Sequence, residues 1–437
     1  MSRSARNAGR GGQGGQARGK FGEDMRLRRI ASAAGAGALS LALIAAIPGP
    51  SSAAARSRHH PAGAHPMAAQ ARVPAPIMPV VGPVDTQATH AFILEADTGT
   101  VLLDKGSNEP IPTASLSKVM TAYVVFDKLK RGEAKLTDEL PVSEKAWRTG
   151  GSKMFVMVGT RIPIEQLIQG VLVDSGNDAC VVLAEGLAGS TEAFVDLMNR
   201  KAKELGLTHS HFADVDGLPD PNHYMSERDL ATLALRTIKD FPEYYHYYSE
   251  MDFTYNKIKQ GNRNPLLYKN MGADGLKTGH TEESGYSLLG SIHRGNRRVI
   301  LVLSGLPSMK ARGEEGERLA DWAFREYDNY KLFAAGQTVE NAEVWLGTAA
   351  RVPLTVDKDL VVTLPRKARK DMKVTAEFSQ PLSAPIHKGQ EIGKLVVSAP
   401  NMPDVDAPLY AAADVPRMGP FGRMAVVAGH MIWGRLH

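Results

Sequence analysis

From His90 to Asp104 two apolar runs flank Asp97-Thr98-Gly99, a pattern that predicts a β-hairpin. The period then changes. Beginning at Ser115, apolar residues recur at helical spacing through Leu116, Val119, Met120, Tyr123, Val124, Phe126 and Leu129, which predicts a helix to about Lys130. Pro163 to Val171, Ala179 to Leu187 and EAFVDLMNRKAKELG are further helix candidates, the last ending at Gly206. Alternation returns in GYSLLGSIHRGNRRVILVLSGL, with a turn at Gly295-Asn296. Strand-rich regions on either side of a helical middle predict an α/β or α+β enzyme domain of about 240 residues. EYYHYYSE, Glu243 to Glu250, is expected at the surface.

Near Gly336 the texture changes again. AEVWLG, RVPLTV, LVVTLP, KVTAEF and KLVVSA are short β-type runs between charged or Gly/Pro turns, which predicts a small all-β domain reaching about Pro416. The tail differs from both. As a helix from Phe421, it gathers Phe421, Met424, Ala425, Ala428, Met431, Ile432 and Leu436 on one stripe, with Arg423, His430 and His437 on another and Trp433 beside the apolar face. Such a helix suits a membrane interface, and its glycines, short length and Arg423 argue against a span.

Composition bears mainly on the N-terminus. Eight of the 52 basic residues but only two of the 47 acidic ones lie in residues 1–55, so the chain's net charge of +5 resides there. Within that stretch MRLRR precedes an uncharged apolar run, Ile30 to Ile47, and SSAAA ends at Ala55. This order predicts a secretory signal peptide, with Met25 as an alternative start. Its removal would leave a chain of nearly balanced charge, which argues against a nucleic-acid partner. Cys180 is the only cysteine, so no internal disulfide framework is possible, and it reads as a buried structural thiol. Arg56 to about Gln87 is rich in Pro, Ala and His and reads as a linker; its histidines have no fixed geometry for a metal. The expected divisions are therefore 1–55 signal region, 56–88 linker, 89–335 catalytic domain, 336–416 β domain and 417–437 amphipathic helix. The product is expected in the periplasm, held to the outer face of the inner membrane by that helix.

Three short stretches carry the chemistry. Ser115 and Lys118 share one helix face three residues apart. The helix N-terminus and burial both favour a neutral lysine there, able to take the serine proton. By itself S-x-x-K is equally a common helix start. Ser175-Gly176-Asn177 offers a hydroxyl and an amide beside a glycine that permits close approach. Lys277-Thr278-Gly279 lacks the spacing of a phosphate loop, because Leu276 separates the lysine from Gly275. On a strand, a lysine, a threonine and a glycine suit an extended substrate ending in a carboxylate.

S-x-x-K, S-x-N and K-T-G in this order are shared by penicillin-binding proteins and class A β-lactamases. With AFILEADTGTVL, PTASLSKVMTAY, SGNDAC and DGLKTGHT, the chain from about residue 89 closely resembles the serine-type D-alanyl-D-alanine carboxypeptidases, the low-molecular-mass penicillin-binding proteins. The resemblance implies a penicillin-binding, β-lactamase-like catalytic domain: an antiparallel sheet flanked by helices, plus a helical subdomain. It implies Ser115 as nucleophile, Lys118 as general base and Ser175 as proton relay, with Asn177 holding Lys118 and the substrate amide. Lys277 would supply positive potential and Thr278 would bind the terminal carboxylate. The main-chain N–H groups of Ser115 and of His280, which follows Gly279, would form the oxyanion hole. Arg312 matches an arginine that binds the substrate carboxylate, and Arg263 one that orders the site. No metal or cofactor is implied. The expected partners are peptidoglycan stem peptides ending in D-Ala-D-Ala and acylating β-lactams. A D,D-endopeptidase, a β-lactamase or an idle penicillin- or peptidoglycan-binding scaffold is the alternative. No glutamate motif of the class A β-lactamases is present, and Asp214 and Asp216 occupy the comparable loop without an assigned role.

Overall fold

The computed structural model describes residues 27–30, 84–400 and 402–433. The expected signal peptide and linker fall almost wholly outside them; Leu27–Ile30 is a short strand paired in parallel with Val374–Glu377. The predicted hairpins both form: β1 (His90–Glu95) with β2 (Val101–Lys105), and β4 (Gly285–Arg294) with β5 (Arg297–Leu306). With β3 (Ala273–Thr281) they make a five-stranded antiparallel sheet in the order β2-β1-β5-β4-β3, so β3 is an edge. Strand periodicity sorts its side chains onto two faces. Phe92, Leu94, Ile300 and Val302 join the core of the helical subdomain, while Ala91, Ile93, Leu301 and Leu303 pack under a C-terminal helix through Leu319 and Ala323. Both faces are covered, which is why these strands are almost continuously apolar.

The helical subdomain is built from α1 (Lys118–Lys130), α2 (Ile164–Leu172), α3 (Asn177–Ala188), α4 (Thr191–Leu205) and α5 (Glu227–Asp240). Serine N-caps begin α4 and α5: the Ser190 and Ser226 hydroxyls accept from Ala193 N–H and Asp229 N–H. Gly206, at φ 74°, ends α4 as expected. The covering helix, α6, is Met309–Glu326.

Two expectations are corrected. The segment Glu243 to Glu250 is not surface: Tyr245, Tyr247 and Tyr248 are buried, and Phe126 meets Tyr244 and Tyr248 in ring contacts. Its aromatic rings reach the catalytic sheet, where only a glycine at 275 leaves room, an added Cβ lying 2.7 Å from the Tyr245 hydroxyl. The predicted helix from Ser115 begins instead as a 3-10 turn, Ala114–Ser117, with regular α-helix only from Lys118.

The β-rich unit starts with Tyr327–Phe333, paired antiparallel with Leu360–Pro365. Its larger sheet contains Thr338–Trp345, Arg351–Thr355, Lys373–Phe378, Glu391–Ser398 and Val405–Ala411 around a separate apolar core. Glu95 joins the two units: it is fully buried, accepts from Arg297 at 2.7 Å and from Asn329 at 3.1 Å. The last helix, α7 (Pro420–Trp433), leaves Phe421, Met424 and Met431 exposed at 83%, 61% and 70%. Among the described residues no helix is long and apolar enough to cross a membrane.

Candidate active site

The fold brings all three motifs to the junction between the sheet edge and the helical subdomain. Ser115, partly exposed in the 3-10 turn, lies 2.7 Å from the Lys118 Nζ, which is fully buried at the start of α1. Lys118 also donates to the main-chain carbonyl of Asp216, 98 residues away. Burial pushes the Lys118 amine below its ordinary value, and the Arg263 charge acts in the same direction; Asp216 and Asp214 oppose them. A lysine so placed sheds its proton more readily and can accept one from the serine it touches.

Ser175 stands between α2 and α3 in the left-handed region, at φ 61°. Its hydroxyl accepts from Lys277 Nζ at 3.0 Å, joining S-x-N to the edge strand. Lys277 is buried, and burial together with the charges of Lys118 and Arg263 pushes its pKa well down. Thr278 and Gly279 follow on the same strand. Gly279 is required by closeness: an added Cβ would lie 2.8 Å from the Thr113 carbonyl oxygen. The strand thus approaches the Ser115 turn backbone to backbone. His280 is exposed at the strand's end, its ring 3.9 Å from that of Tyr286.

Asn177 sits elsewhere than expected in one respect. Its amide donates to the Gly150 carbonyl at 2.9 Å, and the hydrogen bonds of Lys118 go to Ser115 and Asp216 rather than to Asn177. The cause is a loop over residues 150–156. Asn177 N–H donates to Ser152 O at 2.8 Å, and the buried Asp178 carboxylate accepts from the N–H groups of Met154, Phe155 and Val156. Arg263, on the exposed side of this loop, donates to the Ser152 hydroxyl at 2.5 Å. Arg312 is buried in the first turn of α6, faces the Gly279 carbonyl at 3.5 Å and leaves its Nε without a partner. Burial pushes its guanidinium down to about 10.

Sequence reasoning missed several of these groups. Asp178 was visible within SGNDAC, but an acid in the first turn of a helix is ordinary and nothing nearby names the loop it holds. Asp174, just before Ser175, is fully buried with both carboxylate oxygens unpaired, and burial raises it to about 7. The Asp216 carbonyl is a main-chain atom and has no sequence signal. Its neighbour Gly217 does carry one, a glycine at φ 81°, where an added Cβ would stand 2.0 Å from Ala114 O and 2.6 Å from the Ser117 hydroxyl. Gly217→Ala is therefore expected to lower stability by about 3 kcal/mol through overpacking and backbone strain. A thermal melt superimposable on that of the unaltered protein would contradict this account.

A buried amine against a serine, a second lysine against a second serine, and an edge strand open to one side form a site for acyl transfer to an extended peptide. The family model for D-alanyl-D-alanine carboxypeptidases matches residues 77–307, and that for the C-terminal domain of penicillin-binding protein 5 matches 327–417. The D-alanyl-D-alanine carboxypeptidase DacA of Escherichia coli K12 is 36% identical over 356 residues, 80% of this chain and 88% of that protein. The crystal structure of penicillin-binding protein 5 from Haemophilus influenzae is 38% identical, with a TM-score of 0.70 over 77% of this chain and 100% of that one. Penicillin-binding protein D2 from Listeria monocytogenes, in its ampicillin-bound form, is 28% identical with a TM-score of 0.51 over 55% of this chain and 99% of that one. Motif order, the geometry that unites the motifs and similarity through both folded units lead to one conclusion: the chain belongs to the D-alanyl-D-alanine carboxypeptidase family of penicillin-binding proteins.

Proposed function

We propose that this protein is a serine D,D-carboxypeptidase that removes the terminal D-alanine from peptidoglycan pentapeptide stems. The observation that carries the reading is the 2.7 Å contact between Ser115 and the buried Lys118, set beside an edge strand that presents Lys277 and Thr278. Ser115 Oγ attacks the carbonyl carbon between the two D-alanines as Lys118 Nζ takes its proton. The oxyanion forms opposite the main-chain N–H groups of Ser115 and His280. The C–N bond then breaks, and a proton reaches the leaving amine through Ser175, oriented by Lys277. Water attacks the Ser115 ester, giving the shortened peptide and restoring the hydroxyl. Thr278, with Arg312 behind the strand, receives the terminal carboxylate. Penicillin enters by the same acylation, and its ring-opened adduct remains on Ser115.

The test is direct. Purified protein incubated with a peptide ending in D-Ala-D-Ala is expected to release free D-alanine and to form a stable adduct with labelled penicillin. Rapid penicillin turnover would support a β-lactamase instead, and an adduct without D-alanine release an idle binding scaffold.

For location, the proposal is a periplasmic enzyme whose β unit stands as a stalk on a membrane-surface helix. The exposed Phe421, Met424 and Met431 on α7 support this reading. Deleting residues 418–437 is expected to move the protein from the membrane to the soluble fraction; unchanged partition would overturn the anchor.

A further inference from the structure

Asp174 lies in the bend between α2 and Ser175, fully buried, and has no part in the reaction as proposed above. Neither of its carboxylate oxygens has a hydrogen-bond partner among the described residues. Asp178, four residues on, shows what a buried carboxylate ordinarily requires: it accepts from the N–H groups of Met154, Phe155 and Val156. A carboxyl buried without such donors carries a desolvation penalty that an apolar side chain in the same space would avoid. Such a group calls for an opposite charge nearby. The charged groups that act on Asp174 are Arg263, from the chain before the 265–269 turn, Lys277 from β3 and Asp178 from α3. Burial, the largest effect, raises the carboxyl to about 7, and Asp178 adds to it; Arg263 and Lys277 pull it back toward ionisation.

Lys277 has the complementary deficit. It is buried, and its hydrogen bonds go to the uncharged Ser175 hydroxyl and the Thr278 carbonyl, with no carboxylate in contact among the described residues. Burial, then the charges of Lys118 and Arg263, push its ammonium toward losing a proton. Asp174 and Lys277 therefore meet at one serine, the acid through the chain and the amine through a hydrogen bond. Attraction between opposite charges is mutual, so the pull of Lys277 on Asp174 is equally a pull of Asp174 on Lys277. Asp174 favours the charge on Arg263 in the same way, against the burial that disfavours it.

We propose that Asp174 is a positioning residue for the reaction, its carboxylate being the buried counter-charge that keeps Lys277 an ammonium ion, able to orient Ser175 and to draw the substrate's terminal carboxylate. The inference rests on the carboxypeptidase reading for the identity of that substrate. Asp174→Asn keeps the shape of the side chain and removes its charge. As pH rises the native carboxyl ionises and supports the ammonium, whereas the amide gives no support, so Lys277 in the variant should lose its proton about one pH unit earlier. The native-to-variant ratio of kcat/KM for D-alanine release from a peptide ending in D-Ala-D-Ala is therefore expected to rise about 10-fold between about pH 6 and about pH 9. The ratio of acylation rates with labelled penicillin, which also carries a carboxylate, should rise in parallel. Asp174→Ala, smaller and equally uncharged, should show the same trend, so either variant decides the matter if the other does not fold. A merely structural role would lower the rates by one factor at every pH. A ratio that stays constant or falls across that range, in a variant whose thermal melt shows it folded, overturns the proposal. If no peptide releases D-alanine, the carboxypeptidase reading falls separately. The penicillin ratio then decides alone: a rise with pH supports Asp174 as the counter-charge, and a flat ratio overturns it.

Discussion

Ser115→Ala is expected to reduce D-alanine release by about 10⁴-fold or more and to abolish the penicillin adduct, because no other hydroxyl occupies the reacting position. The variant removes one oxygen from a partly exposed residue. The turn should survive: Leu116 N–H still donates to Thr113 O, and Lys118 keeps the Asp216 carbonyl. The substrate contacts proposed for Thr278 and Arg312 are likewise untouched, so peptide affinity should change far less than turnover. Cys180 offers no replacement, since it is fully buried and burial pushes its thiol pKa upward, away from the reactive thiolate. Mass spectrometry after penicillin treatment, alongside the D-alanine assay, checks both effects. An adduct of unchanged mass shift in Ser115→Ala would place the nucleophile elsewhere.

Lys118→Arg is expected to slow acylation by about 10³-fold, within the range of a lost general base. Arginine retains the positive charge but does not deprotonate in this range, so a large loss would show that the neutral amine matters. In the native protein the sign follows from the buried amine. Its pKa lies below the ordinary 10.5, with burial as the chief cause. The acylation rate should therefore climb as pH rises through that lowered value, where Nζ loses its proton. Stability moves the same way. Between the folded-state pKa and 10.5 the unfolded chain binds more protons at this lysine, so folding is favoured more as pH rises across that window. Lys118→Met should remove this contribution. Single-turnover penicillin acylation measured against pH decides the catalytic part; a native rate indifferent to pH, or an undiminished rate in Lys118→Arg, would exclude Lys118 as the base.

The local features of this protein were legible wherever neighbours in the chain are neighbours in space. Helical spacing places Ser115 and Lys118 on one face, and the 3-10 form of the turn preserves that proximity. Both hairpins follow from alternation around a short turn. Gly206 stops its helix for the reason a glycine usually does. The errors have a common origin in long-range packing. Tyr245, Tyr247 and Tyr248 looked like surface because their partners, Phe126 and Gly275 among them, are distant in sequence. Asn177 was expected on Lys118 and is instead claimed by the loop at Gly150 to Ser152, whose closeness depends on Gly151 at φ 77°.

The sequence by itself determined which side chains are available: a serine with a lysine one turn away, a second serine, a lysine and threonine suited to a strand, and an amphipathic end. Side-chain identity and short-range periodicity are sufficient for that, since both are written residue by residue. Only the tertiary structure decided that Lys277 meets Ser175 across 102 positions and that Lys118 is fully buried. It alone decided that the Asp216 carbonyl holds Lys118, because every residue carries the same main-chain oxygen and only folding selects one.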